Sequence, residues 1–407
     1  MNPIPRSLAP GPLERRRGAF PPIRMLHIIT RLVRGGADEN TLYTVRGLDK
    51  QRYVVDLAVG QGSELESLGV LDDVGVHVIP ELVRDPHPWN DLVALAKLAM
   101  LIRRGRYQII HTHTAKAGFL GRLAAAMVGA PIIIHTVHGV TFHAHLPPAL
   151  RWFYLLLERI AARFTHQFVA VGEDVRSIYV SSGIGADQAY ETIYSGMPLR
   201  EYLAAGRMGE DERQALRAEL GFEPRHRVVL MAARLEERKG HTYLFEAVQR
   251  LKADHPDLRV LLLGEGHYRP ALEAQCRVLG IDDRVQFLGF RSDLPRVLAA
   301  ADISVLTSLW EGLPRVLVQS AAAGKPIVTF DVEGAWEVVR DGRNGFVVPS
   351  RDVDTFTQRL EVLLRDRARA RALGLAGPEH VGEQWAVETM LERLDDLYQR
   401  WTQREAA

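Results

Sequence analysis

Two glycines in Arg34-Gly35-Gly36-Ala37-Asp38-Glu39 stand where backbone N–H groups could close on an anion at the start of a helix. Paired glycines also serve turns that bind nothing. Histidines concentrate further on: His111 and His113, His135 and His138, His143 and His145. Residues two apart on a strand share a face, so a metal site is conceivable, but no cysteine lies near and no H-E-x-x-H spacing occurs. His138 is the best candidate for direct ligand contact, because Gly139 after it permits a sharp exit from a strand. In Ala233-Arg234-Leu235-Glu236-Glu237-Arg238-Lys239-Gly240, the cations Arg234 and Lys239 suit a diphosphate, whose leaving-group charge grows as its bond to carbon breaks. The intervening Glu236, Glu237 and Arg238 equally fit a solvated charge cluster. Gly264-Glu265-Gly266 lacks the third glycine of a dinucleotide fingerprint, since Arg269 stands there, which argues against a nicotinamide cofactor. The most informative stretch runs from Ser308 to Pro326: Glu311 falls in a loop, Pro314 suits a first helical position and Gly324 ends the helix. There the Glu311 carboxylate could accept from ligand hydroxyls while Gly312 and Leu313 donate backbone N–H groups.

The elements that must position these loops show in the hydrophobic pattern. From residue 25 onward, short β-rich runs alternate with amphipathic stretches, the pattern of a parallel sheet covered by helices on both faces. In the first half this predicts strands over 25–30, 54–59, 76–79, 109–113, 132–137 and 168–171, with helices over 37–48, 92–104, 117–127 and 148–163. The rhythm restarts with predicted strands over 228–232, 260–263, 285–288, 303–307, 327–330 and 346–348. Two doubly wound, Rossmann-like α/β domains follow, with a seam near 194–199 where Ser195-Gly196-Met197-Pro198 supply turn residues. Ligands of such sheets bind beyond the carboxyl ends of the strands, so two sheets facing each other would enclose a cleft fed by the loops named above. The chain thus reads as a tail over 1–24, domains over 25–196 and 197–380, and a helical segment over 381–407 with Met390, Leu391, Leu394, Leu397 and Tyr398 at helical spacing.

Composition agrees with that division. A length of 407 residues suits two or three domains, and 47% hydrophobic with 25% charged residues is a globular balance. Lys and Arg number 51 against 50 Asp and Glu, so no general charge excess points to nucleic acid. The single Cys276 excludes an intramolecular disulfide framework and fits a reducing cytoplasm. The tail alternates prolines with Arg6, Arg15, Arg16, Arg17 and Arg24 and has no apolar stretch of signal-peptide type, so neither export nor a membrane span is expected. Trp152-Phe153-Tyr154-Leu155-Leu156-Leu157 fits insertion at a bilayer edge near Arg151 as well as burial against the first sheet; burial is the expectation. Asp352-Val353-Asp354 reads as a helix cap rather than a metal site.

The order Gly35-Gly36, His138-Gly139, Arg234, Lys239-Gly240, Gly264-x-Gly266, Ser308-x-x-Glu311-Gly312 and Gly324-x-Pro326 resembles the retaining nucleotide-sugar glycosyltransferases of family 4, with the GT-B fold. The resemblance extends from about Met25 to Trp401 and implies that the last helix crosses back onto the first domain. It also implies roles: Gly36 near the donor phosphates, Arg234 and Lys239 on the diphosphate, His138 on the donor sugar, Glu311 on the sugar hydroxyls and Phe290 beside the nucleotide base. Where the family commonly has a second acidic residue for the ribose, this chain has Gln319, which can both donate and accept but lacks charge-assisted strength. Ala233 stands where the family often has glycine. No cofactor beyond a nucleotide diphosphate sugar co-substrate, commonly a uridine diphosphate sugar, and no metal is implied. The acceptor would be a glycan or lipid-linked glycan of a bacterial surface polysaccharide, extended in the cytoplasm at the inner membrane face. A hydrolysing sugar-nucleotide epimerase, a glycogen-type phosphorylase needing pyridoxal phosphate, and a non-catalytic nucleotide-sugar-binding protein are the rival readings.

Overall fold

Strand runs rich in Val, Ile and Leu without polar alternation need cover on both faces. The computed structural model supplies it in two α/β units. It describes residues 21–33, 35–63 and 73–406; Arg34 and the tail arginines before Arg24 lie outside the described residues. One unit comprises the described residues up to Gly196 together with those from Val387 onward, and the other comprises Met197–Ala386.

The first unit contains β1 (Ile23–Ile29), β2 (Tyr53–Gly60), β3 (Gly75–Ile79), β4 (Ile109–His113), β5 (Ile132–Val137), β6 (Gln167–Ala170) and β7 (Tyr190–Thr192). They form one parallel sheet in the order β3-β2-β1-β4-β5-β6-β7. β7 has no counterpart among the predicted strands. At three residues it is too short to show a period, and Tyr190 stacked on Phe168 with ring centroids 4.6 Å apart helps hold it at the sheet edge. β1 begins at Ile23, paired with Tyr53, so Ile23 and Arg24 belong to the sheet and not to the tail expected over 1–24.

The second unit contains β8 (Arg227–Ala232), β9 (Leu258–Leu263), β10 (Val285–Gly289), β11 (Ile303–Leu306), β12 (Ile327–Phe330) and β13 (Gly345–Val348), in the order β10-β9-β8-β11-β12-β13. In each sheet the winding reverses at one point, between β1 and β4 and between β8 and β11. Adjacent strand-to-helix loops diverge there and leave a crevice for ligand.

The helix Val387–Ala406 packs in the first unit. Met390, Leu394, Leu397 and Tyr398 are buried in one cluster with Met25, Val55, Ile109 and Ile132. The stretch before it differs from the segment expected over 381–407, because residues 381–386 belong to the second unit. Trp385 is buried there and its carbonyl accepts from the Met197 N–H at 2.9 Å, while Met197 and Ala386 form a bridge. Asp352 caps the helix Val353–Arg365, accepting from the Thr355 N–H at 2.9 Å.

Burial of the 152–157 run is overturned. In the helix Pro148–Ala162 only Glu158 and Ala161 are buried, with Tyr154 and Leu155 partly covered by the cluster around Phe142 and Tyr179. Trp152 is 62% exposed and Phe153 45%, and Leu150 and Leu156 are exposed too. A helix buries one stripe, and this apolar run is wider than a stripe. The buried stripe is anchored by Glu158, which accepts from the buried Arg122 guanidinium at 2.7 Å.

Candidate functional site

Three loops at the carboxyl ends of β8, β9 and β11 are stitched together by their backbones. Leu235 donates its N–H to the Glu265 carbonyl at 3.0 Å, Tyr268 donates to the Leu235 carbonyl at 3.1 Å, and Leu309 donates to the Arg238 carbonyl at 2.9 Å. Two glycines make this possible. Gly240 has φ +65°, and a Cβ there would stand 2.1 Å from the Thr307 carbonyl oxygen; at Gly266 it would stand 2.2 Å from the Leu235 carbonyl oxygen.

The stitched loops bring Arg234, Lys239 and Glu311 into one ion cluster. Lys239 Nζ donates to Glu311 Oε1, and the Arg238 guanidinium lies 3.7 Å from Glu311 Oε2. Arg238 also donates to Glu236 at 2.9 Å, and Glu236 lies 3.5 Å from Arg234. The Lys239 and Glu311 side chains keep only 12% and 11% of their exposure, against 36% for Arg234. Burial alone would raise the Glu311 carboxyl, but the charges of Lys239 and Arg238 hold it below its ordinary value. Burial pulls the Lys239 ammonium below its ordinary value against the favourable field of Glu311. Glu311 therefore stays ionised near neutral pH, and an enclosed ammonium facing one carboxylate is a receptor for a stronger anion.

Glu333 joins the cluster without having been singled out in the sequence: its Oε2 accepts from the Glu311 N–H at 3.0 Å. It follows β12 in Asp331-Val332-Glu333-Gly334, another strand-end acidic loop, which was the available signal. Gly312 is half-buried and Leu313 buried directly after Glu311. Gln319 sits in the second turn of the helix Arg315–Ala322 and is buried. Phe290, just after β10, is 43% exposed, and its N–H lies 3.4 Å from Glu265 Oε1.

The remaining site residues lie in the first unit. Gly35 is the extended N-cap of the helix Gly36–Gly47, whose first turn already holds the carboxylates of Asp38 and Glu39. His138 follows β5 and its Nε2 lies 3.1 Å from His113 Nδ1. The histidine concentration resolves into wholly buried rings at His111, His113 and His135, while the His143 and His145 rings lie 6.0 Å apart in the loop beyond. Among the described residues the one histidine trio with nitrogens within 4.8 Å of one another is His27, His111 and His113. His27 is not among the histidines that cluster in the sequence, although a histidine inside the apolar run 25–30 is an anomaly. It stands beside His111 because β1 and β4 pair in that register.

The rings of His111 and His113 stack 4.5 Å apart, and His27 Nδ1 lies 3.0 Å from His113 Nε2. His111 is bonded through both nitrogens, to Tyr398 Oη at 2.6 Å and Thr136 Oγ1 at 2.7 Å. Burial pushes His27 down to about 3, with the Lys50 charge adding to it, and holds His111, His113 and His135 well below the usual range. The trio is thus a buried array of neutral rings, and its nitrogens stand close enough together to hold a metal ion.

Two parallel sheets of this winding define a pair of doubly wound α/β units. Family models described as "Glycosyl transferase 4-like domain" and "Glycosyl transferases group 1" match residues 35–190 and 212–380. The chain belongs to this glycosyltransferase family, with the GT-B fold. It is 27% identical over 349 residues to the UDP-Gal:alpha-D-GlcNAc-diphosphoundecaprenol alpha-1,3-galactosyltransferase of Escherichia coli, covering 85% of this chain and 89% of that one. To the capsular polysaccharide biosynthesis glycosyltransferase CapM of Staphylococcus aureus it is 23% identical over 357 residues, covering 86% and 91%. Its fold is shared by Anabaena HepE, solved in complex with UDP, at TM-score 0.79 and 22% identity over 93% of this chain and 100% of that one. No helix of the described residues is long and apolar enough to cross a membrane.

Proposed function

We propose that this glycosyltransferase moves a hexose, with retention at the anomeric carbon, from a uridine diphosphate sugar to a hydroxyl of a lipid-linked or surface glycan in bacterial polysaccharide synthesis. The observation that carries the reading is the ion cluster of Arg234, Lys239 and Glu311 at the carboxyl ends of β8 and β11. Support for the donor and acceptor classes comes from the names of the Escherichia coli relative and of the Anabaena complex.

In this reading Arg234 and Lys239 take the diphosphate, which competes with Glu311 for the ammonium. Glu311 is then free to accept from the sugar hydroxyls, with the N–H groups of Gly312 and Leu313 beside it. His138 meets the sugar, Gly35, Gly36 and Gly266 let backbone approach the phosphates, Phe290 borders the base and Gln319 holds the ribose. The acceptor oxygen bonds to the anomeric carbon on the face from which the diphosphate leaves. The electron pair of the breaking C–O bond passes to the diphosphate, whose departing oxygen also takes the acceptor proton. The two cations stabilise the charge that develops, in the part a divalent metal plays elsewhere.

Nucleoside diphosphate release from UDP-sugars, with and without lipid-linked acceptor and with EDTA, tests this. Acceptor-dependent release that survives EDTA is expected. Release without acceptor supports the epimerase reading instead, and complete loss with EDTA removes charge neutralisation by Arg234 and Lys239 alone. The acceptor side would sit at an anionic lipid surface through the exposed Leu150, Trp152, Phe153 and Leu156, interleaved with the exposed Arg151, Arg159 and Arg163. Trp152→Ser with Phe153→Ser should abolish co-sedimentation with anionic vesicles while leaving turnover on a soluble acceptor; undiminished co-sedimentation removes this helix as the contact.

A further inference from the structure

One face of the first unit leaves a row of apolar side chains uncovered. The helix Pro88–Gly105 turns Ala94, Leu98 and Ile102 into a core cluster with Leu26, Ile28 and Ile110. Its opposite side is apolar as well. At about 100° per residue, Trp89, Leu92, Ala96, Met100 and Arg103 fall within roughly 80° of one another, on the far side from the buried three. All five are exposed, Trp89 to 69% and both Leu92 and Met100 to at least half. A surface helix normally shows a polar face there, so a second apolar stripe marks an interaction surface.

The spacing of the stripe says what covers it. Leu92 and Met100 stand four residues either side of Ala96, and Trp89 and Arg103 seven. A two-fold axis at Ala96 therefore lays an identical helix antiparallel on this one, with Leu92 on Met100 of the second copy, Trp89 under its Arg103, and Ala96 on Ala96. Each pairing is complementary in kind: apolar on apolar, guanidinium on indole face, and at the crossing two side chains small enough for close approach of the helix axes. Charge sets the direction. The exposed Arg103, Arg104 and Arg106 crowd the carboxyl end, while the exposed Asp85 lies just before the amino end. Antiparallel packing brings these opposite charges together, and parallel packing would set like against like.

A lipid surface is the poorer match. Between Pro88 and Ile102 the only cation is Lys97, and its ammonium already donates to Glu81 at 2.6 and 2.8 Å. In the helix Pro148–Ala162, by contrast, the exposed Arg151 and Arg159 stand along its length.

We propose that the helix Pro88–Gly105 is a self-association surface, through which two copies of this chain pair antiparallel about a two-fold axis at Ala96. The contact is isologous and closes at two copies. It uses five side chains from each, against the roughly 20–30 residues a side of a standard interface, so the Kd should fall at roughly 1–100 µM.

Sedimentation velocity of the full chain across that range should show a reversible monomer–dimer equilibrium. Ala96→Glu sets two carboxylates face to face at an exposed position and should weaken the dimer at least tenfold, roughly 1.4 kcal/mol, with the melting temperature unchanged. Ala96→Cys tests the axis itself. Cys276 is buried, so mild oxidation should give a dimer linked through position 96, whereas Lys97→Cys, about 100° round the helix, should give little. A chain that stays monomeric up to roughly 200 µM overturns the proposal, and vesicle binding by that monomer which Ala96→Glu abolishes assigns the face to lipid instead. A dimer that ignores Ala96→Glu overturns it too, and its dissociation by Trp152→Ser with Phe153→Ser would place the contact on the other exposed helix.

Discussion

Within β1, β4 and β5 the first unit buries rings that stay neutral, whereas at the ends of β8 and β11 the second unit holds a lysine, two arginines and two glutamates. The two sheets wind in the same order about the same kind of reversal. What differs is the price of desolvation. The first unit avoids it by keeping His27, His111 and His113 uncharged and hydrogen bonded to one another or to hydroxyls. The second offsets it by pairing Lys239 with Glu311 and Arg238 with Glu236. In the proposed reading the paired cluster suits a diphosphate, which can replace the carboxylate.

The largest effect should come from acid. The buried histidines of the first unit have native values far below the roughly 6.5 of an unfolded histidine, so below that pH the unfolded chain binds more protons than the native one. Their stability is fully present above about 6.5 and is lost as the pH falls from there toward about 3, each ring giving up to about 1.4 kcal/mol per pH unit. The second unit has the same liability at His241, pushed to about 4, with His226 and His380 lowered as well. Its loss should be shallower, because fewer of its rings are wholly buried. Pulse proteolysis in urea at pH 7 and pH 5 should therefore show first-unit fragments losing several kcal/mol and second-unit fragments less. Equal losses in both break the contrast.

Removing charge from the second unit should come next. Lys239→Ala is expected to lower kcat roughly 10²–10³-fold, the scale of one lost preorganised donor in a dry site. His138→Ala, which removes the proposed sugar contact and no diphosphate ligand, should cost less. A folded Lys239→Ala with near-normal diphosphate release would falsify the diphosphate role, and a costlier His138→Ala would invert the comparison.

Much of this was legible in the residues. Six strands of each sheet announce themselves as apolar runs, because a strand covered on both faces needs no polar alternation. The loops carrying Arg234, Lys239 and Glu311 follow such runs and are marked by glycine and proline. What the sequence hid depends on long-range geometry. His27 enters the histidine array only through the pairing of β1 with β4, and Glu333 only by reaching the Glu311 N–H from another loop. β7 is too short for a period to show. The exposure of Trp152 and Phe153 escaped because apolar composition does not say which stripe of a helix is covered. The sequence also suggested a solvated alternative for the cluster around Glu236; Lys239 and Glu311 are too enclosed for it, whereas Arg234 keeps 36% of its exposure.

The smallest expected effect probes whether charge could be added where the second unit holds none. Gln319 is buried one turn into the helix that follows Glu311, at the position the resemblance gives to the ribose. Its amide can accept one hydroxyl and donate to another, yet each bond is weaker than one made by a carboxylate, by a factor of about two. Gln319→Glu should therefore tighten UDP binding by roughly fivefold, about 1 kcal/mol, with kcat nearly unchanged because the ribose stands away from the reacting carbon. Calorimetric titration of UDP reads this directly. Binding that weakens instead would mean that desolvating a new carboxylate at this buried position outweighs its hydrogen bonds, and that the ribose does not reach this helix.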